Sequence, residues 1–106
     1  QPCTYTLASG YRGALYTGVT SDLPARLWQH REGTIGGFTS EYAVRRLVHF
    51  EVFETMESAI AREKQIKNWR RQWKINFIEE ANPRWRDLAC DLGFEPLPPR
   101  RTEDGS

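Results

Sequence analysis

The chain has almost no cysteine. Cys3 and Cys90 are the only two in 106 residues, far apart and without the close spacing of metal ligands. That argues against a disulfide framework and fits a reducing cytosol. No run approaches the ~20 apolar residues that a membrane helix needs, so a membrane-spanning helix is excluded. No long apolar stretch opens the sequence, and no signal peptide is expected. Net charge is only +1, so no whole-molecule field marks a polyanion binder. There is no internal repeat and no heptad run. These absences predict a cytoplasmic protein of one domain, large enough for a modest core.

What is present begins with two short apolar runs around Tyr5 and Tyr16, joined by the turn-like Ser9-Gly10-Tyr11-Arg12-Gly13. They read as a β-hairpin. A register symmetric about that turn pairs Ala8 with Gly13 and sets Tyr5 directly opposite Tyr16. Cross-strand partners share a face, so two phenols would meet at one spot.

Ser21, Asp22 and Pro24 are helix-starting residues, and a helix is expected from about Asp22 to Arg31, stopping at Gly33. The segment from Gly33 to Ser40 reads as a loop. Leu47 to Phe53 reads as a third strand. Thr55 can cap a second helix running through Trp69. Arg70 to Ala81 continues helically, as one bent helix or as a second one, with Trp73, Phe77 and Ile78 as its apolar stripe. Asn82-Pro83 ends it and can start a short helix that fades at Gly93. Residues 1–94 form the expected domain. Residues 95–106, with Pro96, Pro98 and Pro99, read as a mobile tail. The element order predicts an α+β sandwich around a small, mainly antiparallel sheet.

Three groups of residues can carry chemistry. Arg26 and His30 are four apart, so they share a helix face close to the tyrosine strand. They are either a solvated face or a phosphate clamp beside a group that titrates near neutrality. Glu63 has Ala59, Ile60 and Ile66 among its helical neighbours, which places a carboxylate on the inward stripe. It is either ion-paired, with Lys67 or another element, or a ligand for a hard metal such as Mg²⁺. From Arg62 to Lys74 there are six cations and one anion, a net +5 over thirteen residues. Trp69 and Trp73 have the spacing of a core stripe. The cations Lys64, Lys67, Arg70, Arg71 and Lys74 are either a wet helix face or a phosphate-contacting one. Cys3 and Cys90 read as structural, His49 as a packed, hydrogen-bonded histidine, and Asn82 as a helix cap.

Taken together, these residues resemble the GIY-YIG nuclease family. The first half-motif stands as Cys3-Thr4-Tyr5 and the second as Tyr16-Thr17-Gly18, with ten residues between the tyrosines. The run Leu15 to Leu23 with Arg26 and His30, the segments Gly37-Phe38-Thr39-Ser40 and Ala59 to Lys67, and Asn82 to Leu88 resemble its small stand-alone bacterial branch. The likeness covers residues 3 to about 88.

The resemblance implies a three-stranded antiparallel sheet flanked by helices. It also implies a divalent-metal-dependent endonuclease acting on DNA, with RNA left open, in a setting such as DNA repair or recombination. Carried over by position, Tyr5 is the general base and Tyr16 orients water or phosphate. Arg26 neutralises phosphoryl charge and His30 bonds Tyr5 or the phosphate. Glu63 holds one Mg²⁺ or Mn²⁺ ion, and Asn82 supports. A free phenol has a pKa of about 10, so a neighbouring cation must lower it before Tyr5 can act as a base. No separate DNA-binding domain is visible, so DNA affinity is expected from the basic helix, a protein partner or self-association. The alternative is a nucleic-acid-binding module with little or no catalysis.

Overall fold

A computed structural model describes residues 1–32 and 43–97. Three strands, β1 (Cys3–Ala8), β2 (Leu15–Thr20) and β3 (Arg46–Val52), form one antiparallel sheet in the order β2-β1-β3. Helix α1 (Leu23–Glu32) follows β2. Helices α2 (Met56–Lys67) and α3 (Arg71–Ala81) follow β3, and a 3₁₀ helix spans Leu88–Leu92. The fold is α+β, as the sequence predicts.

The central strand β1 is buried at every residue, because helices cover both of its faces. Its alternation divides the core. Cys3, Tyr5 and Leu7 point to one side, where they pack with Leu23 and Leu27 of α1, Val44, Leu47 and Ala89. Ala8 joins Val48, Ile75, Ile78 and Trp85 in a second cluster. Thr4 donates to the Ala59 carbonyl of α2 at 2.7 Å, and Thr6 and Thr17 hydroxyls meet at 3.3 Å across β1 and β2. Pairing of β1 with β3 shifts by a bulge between Thr6 and Leu7, which sets Leu47 opposite Leu7, and both join the first cluster.

The hairpin is wider than the symmetric turn reading. Ser9 N–H bonds the Ala14 carbonyl at 3.0 Å, and the Ser9 hydroxyl accepts from Ala14 N–H at 2.9 Å. Ala8 therefore pairs with Leu15, not Gly13, and Tyr5 faces Gly18 while Leu7 faces Tyr16. The register moves by an even step. Both tyrosines stay on one face, diagonal rather than opposed.

Helix starts follow the sequence closely. Asp22 accepts from Ala25 N–H at the start of α1, and Thr55 caps α2 by accepting from Ser58 N–H. The basic stretch is two helices, separated at Asn68–Arg70. That break resets the helical phase and corrects the tryptophan expectation. Trp69 is half-buried against Phe77, at 5.0 Å between ring centroids, but Trp73 is 58% exposed. Ile75 and Ile78 supply the buried stripe of α3 instead.

Asn82 caps the end of α3 and does not start a helix. The short helix instead begins after Asp87, whose carboxylate accepts from Ala89 N–H, and ends at Gly93 in a left-handed conformation with φ 95°. Arg31 and Asp87 form an ion pair at 2.6 Å that ties α1 to this segment. The expected loop of residues 33–40, the Gly37–Ser40 piece of the motif, and residues 98–106 lie outside the described residues. No helix among the described residues is long and apolar enough to cross a membrane.

Candidate active site

Three rings from three elements converge on one side of the sheet. Tyr5 of β1 and Tyr16 of β2 have centroids 6.3 Å apart. His30 of α1 lies 5.8 Å from Tyr5 and 5.5 Å from Tyr16, edge-on to both. The Tyr5 hydroxyl and His30 Nε2 are 3.0 Å apart. Gly18 makes this closeness possible. A Cβ on residue 18 would lie 2.6 Å from the Tyr5 hydroxyl and 3.0 Å from Tyr16 Cε2. Any side chain there would displace both phenols, which gives the glycine of the second half-motif a steric reason.

Tyr5 has no exposed surface and His30 is 4% exposed. Burial pushes the Tyr5 phenol up to about 12, helped by the neighbouring Tyr16, while the nearby Arg26 pulls it down. This is opposite to the lowering that a pre-ionised base requires. Burial, and then the Arg26 guanidinium, hold His30 below the ordinary histidine range. Both groups are therefore neutral at neutral pH. His30 Nδ1 is buried and has no hydrogen-bond partner among the described residues. A neutral imidazole of this kind can accept the Tyr5 proton through Nε2 when Nδ1 carries its own.

Glu63 reaches the same edge from α2, which packs on β2 and β1. Its side chain is only 14% exposed and pairs with Lys67 Nζ at 2.6 Å. Lys67, half-exposed, sits 5.9 Å from the centroid of the Tyr16 ring. Tyr16 is thus the hinge of the site, with Tyr5 and His30 on one side and the Lys67–Glu63 pair on the other. No group of three or more His, Cys, Asp and Glu side chains capable of holding a metal occurs among the described residues. The donor set is one carboxylate. That suits Mg²⁺ or Mn²⁺, which keep waters and take phosphate oxygens, and does not suit a caged metal. The Lys67 ammonium already stands in for a cation at Glu63.

Other sequence-selected residues lie elsewhere. The Asn82 amide donates to the Val48 and Arg86 carbonyls and accepts from Arg86 N–H, so it joins β3 to the turn after α3. Among the cations, Arg62 is paired with Glu51 at 2.9 Å and Arg71 donates to the Arg12 and Gly13 carbonyls. Lys64 and Arg70 are exposed and Lys74 is half-buried. His49 is packed on Phe77 at 4.4 Å as expected, but its buried Nε2 has no hydrogen-bond partner among the described residues. Cys3 is buried and Cys90 exposed, both free. Sequence reasoning missed the contact of Lys67 with Tyr16. The only signal for it was the i, i+4 spacing from Glu63.

The two histidines make stability depend on pH. Burial is the first cause of the lowered pKa in both His30 and His49. In the unfolded chain they take up protons near pH ~6.5. Below that pH the unfolded state binds more protons than the folded one, so this stability is present above it and lost as pH falls. Urea unfolding midpoints should therefore drop between pH 7.5 and 5.5. A double His30→Gln, His49→Gln variant should show a flatter profile, and an equally steep one would contradict the account.

Paired tyrosines, a histidine of α1 and a carboxylate at the sheet edge are thus brought together on one small α+β domain. Residues 1–76 match the family model described as the GIY-YIG catalytic domain, and the chain belongs to this family. Relatives include a UPF0213 protein of Haloquadratum walsbyi, 39% identical over 68 residues, spanning 64% of this chain and 76% of the relative. Another, from Staphylococcus aureus, is 38% identical over 68 residues, 64% of this chain and 83% of its own. The solution NMR structure of a UPF0213 protein of Bacillus halodurans matches with a TM-score of 0.52 at 23% identity. That match covers 83% of this chain and 94% of the other, a likeness of fold.

Proposed function

We propose that the chain is a divalent-metal-dependent endonuclease that hydrolyses phosphodiester bonds in DNA. The observation that carries this reading is the 3.0 Å contact between Tyr5 and His30, with Tyr16 and Arg26 at hand. Because Tyr5 is neutral at rest, proton transfer runs through the pair. As water forms its bond to phosphorus, Tyr5 accepts the water proton and passes its own to His30 Nε2. The ester P–O bond breaks, the leaving oxygen takes a proton from solvent, and His30 returns its proton to solvent. Arg26 offsets the charge that grows on the phosphoryl oxygens. Glu63 would hold the ion, which when bound supplies Lewis-acid stabilisation of the phosphate. Tyr5 has no exposed surface in this structure and Tyr16 is half-buried, so substrate meets Tyr16 first and the relay requires the Tyr5 hydroxyl to be uncovered as substrate docks.

The buried, upward-shifted Tyr5 also favours a second reading, a nucleic-acid-binding module with little turnover. Lys64 and Arg70 would then be the phosphate contacts. One screen separates the two. Purified protein is incubated with duplex, single-stranded, flap and branched DNA, and with RNA, across a Mg²⁺ and Mn²⁺ series. The nuclease reading expects cutting of at least one substrate, and none in chelator. Salt-sensitive binding without any cutting would support the module.

A further inference from the structure

We infer that Lys67 is a built-in competitor for the cation at Glu63, setting how tightly the site takes a divalent ion. The inference rests on the metal-holding reading of Glu63. Glu63 is a largely buried carboxylate, and a charge in that position is costly unless it is paired. Its partner comes from one helical turn along the same helix, at 2.6 Å. The ammonium has a second foothold, 5.9 Å from the centroid of the Tyr16 ring, whose face attracts cations. Two groups of the candidate site thus hold one tethered cation. Arg62, also on α2, turns instead to Glu51 at 2.9 Å, so the pairing at Glu63 belongs to Lys67.

A divalent ion approaching Glu63 meets this resident charge. The carboxylate must give up its ion pair, or the two cations must share it against their repulsion. The Lys67 side chain is half-exposed on a flexible four-carbon stem, so it can swing into water without disturbing the core. Either route makes ion binding weaker than at a bare carboxylate. Either route also keeps the site neutralised before the ion arrives. Lys67 is therefore a positioning residue acting through Glu63, distinct from the exposed cations Lys64 and Arg70.

The test is Mn²⁺ binding without DNA, read by isothermal titration calorimetry and by loss of the free-ion electron paramagnetic resonance signal. Wild-type protein is compared with Lys67→Met, Lys67→Gln, Lys67→Arg and Glu63→Gln. Both neutral variants should bind Mn²⁺ about fivefold more tightly, the order expected for removing a half-exposed ion pair. Lys67→Arg keeps the charge and should bind like wild type, and Glu63→Gln should lose the site. Unchanged or weaker binding by the neutral variants, with Glu63→Gln still abolishing it, would overturn the role of Lys67 alone. Equal binding by Glu63→Gln and wild type would overturn the metal-holding reading of Glu63, and this inference with it.

Discussion

On the proposed nuclease reading, glutamine at position 63 should lower cleavage by about a hundred- to a thousandfold while leaving the fold in place. The substitution keeps the volume and one oxygen but removes the negative charge. On the metal-holding reading of Glu63, nothing remains without that charge to hold a hydrated divalent ion. The structural cost is small. The Lys67 partner is half-exposed and can be rehydrated, so the lost pair contributes at most about 1 kcal/mol. Urea unfolding of Glu63→Gln should stay near wild type while cleavage is lost. That separation matters, because a variant that loses activity by unfolding says nothing about the carboxylate. Cleavage by Glu63→Gln at the wild-type rate would remove the ion from Glu63 altogether.

How much of this could be read before the fold was known depends on the length scale of each signal. Strands, the starts of α1 and α2 and the face of the hairpin come from local patterns, and these were legible. Thr55 and Asp22 cap where their types say they should. The shared face of Tyr5 and Tyr16 survived a wrong register because strand periodicity is two and the register error was even. The position of Trp73 failed for the converse reason. Helical periodicity carries across a segment only while the helix is unbroken, and the break at Asn68–Arg70 turned an inward expectation outward. Asn82 was legible as a cap-forming type but was assigned to the start of the short helix, which Asp87 caps instead. Their real partners, Val48 and Leu47 of β3, are more than thirty residues away, and no local pattern marks them. The charge state of the site was the least legible part. Arg26 beside a phenol suggests a lowered pKa, but burial outweighs the guanidinium and moves Tyr5 the other way.

That reversal sharpens what phenylalanine at position 5 should do. Tyr5→Phe removes one oxygen and keeps a ring that is fully buried in the core. The lost hydrogen bond to His30 should cost about 1 kcal/mol of stability. Turnover should fall by about a hundred- to ten-thousandfold, the range for removing a general acid–base group. Tyr16→Phe is the comparison that assigns the roles. Tyr16 flanks the pair and is half-buried, so in the proposed relay its hydroxyl is the orienting one. Its loss should cost clearly less in kcat than that of Tyr5, with a share of the effect in KM. The relay also predicts a pH signature. With Tyr5 neutral and His30 accepting its proton, kcat/KM should fall on the acid side as His30 becomes protonated. The rate should not have to wait for a phenolate to form near pH 12. A larger kcat loss for Tyr16→Phe than for Tyr5→Phe would exchange the two assignments. It would make the half-buried Tyr16 the phenol that moves the proton and leave Tyr5 and His30 as a buried hydrogen bond that only holds the strand against α1.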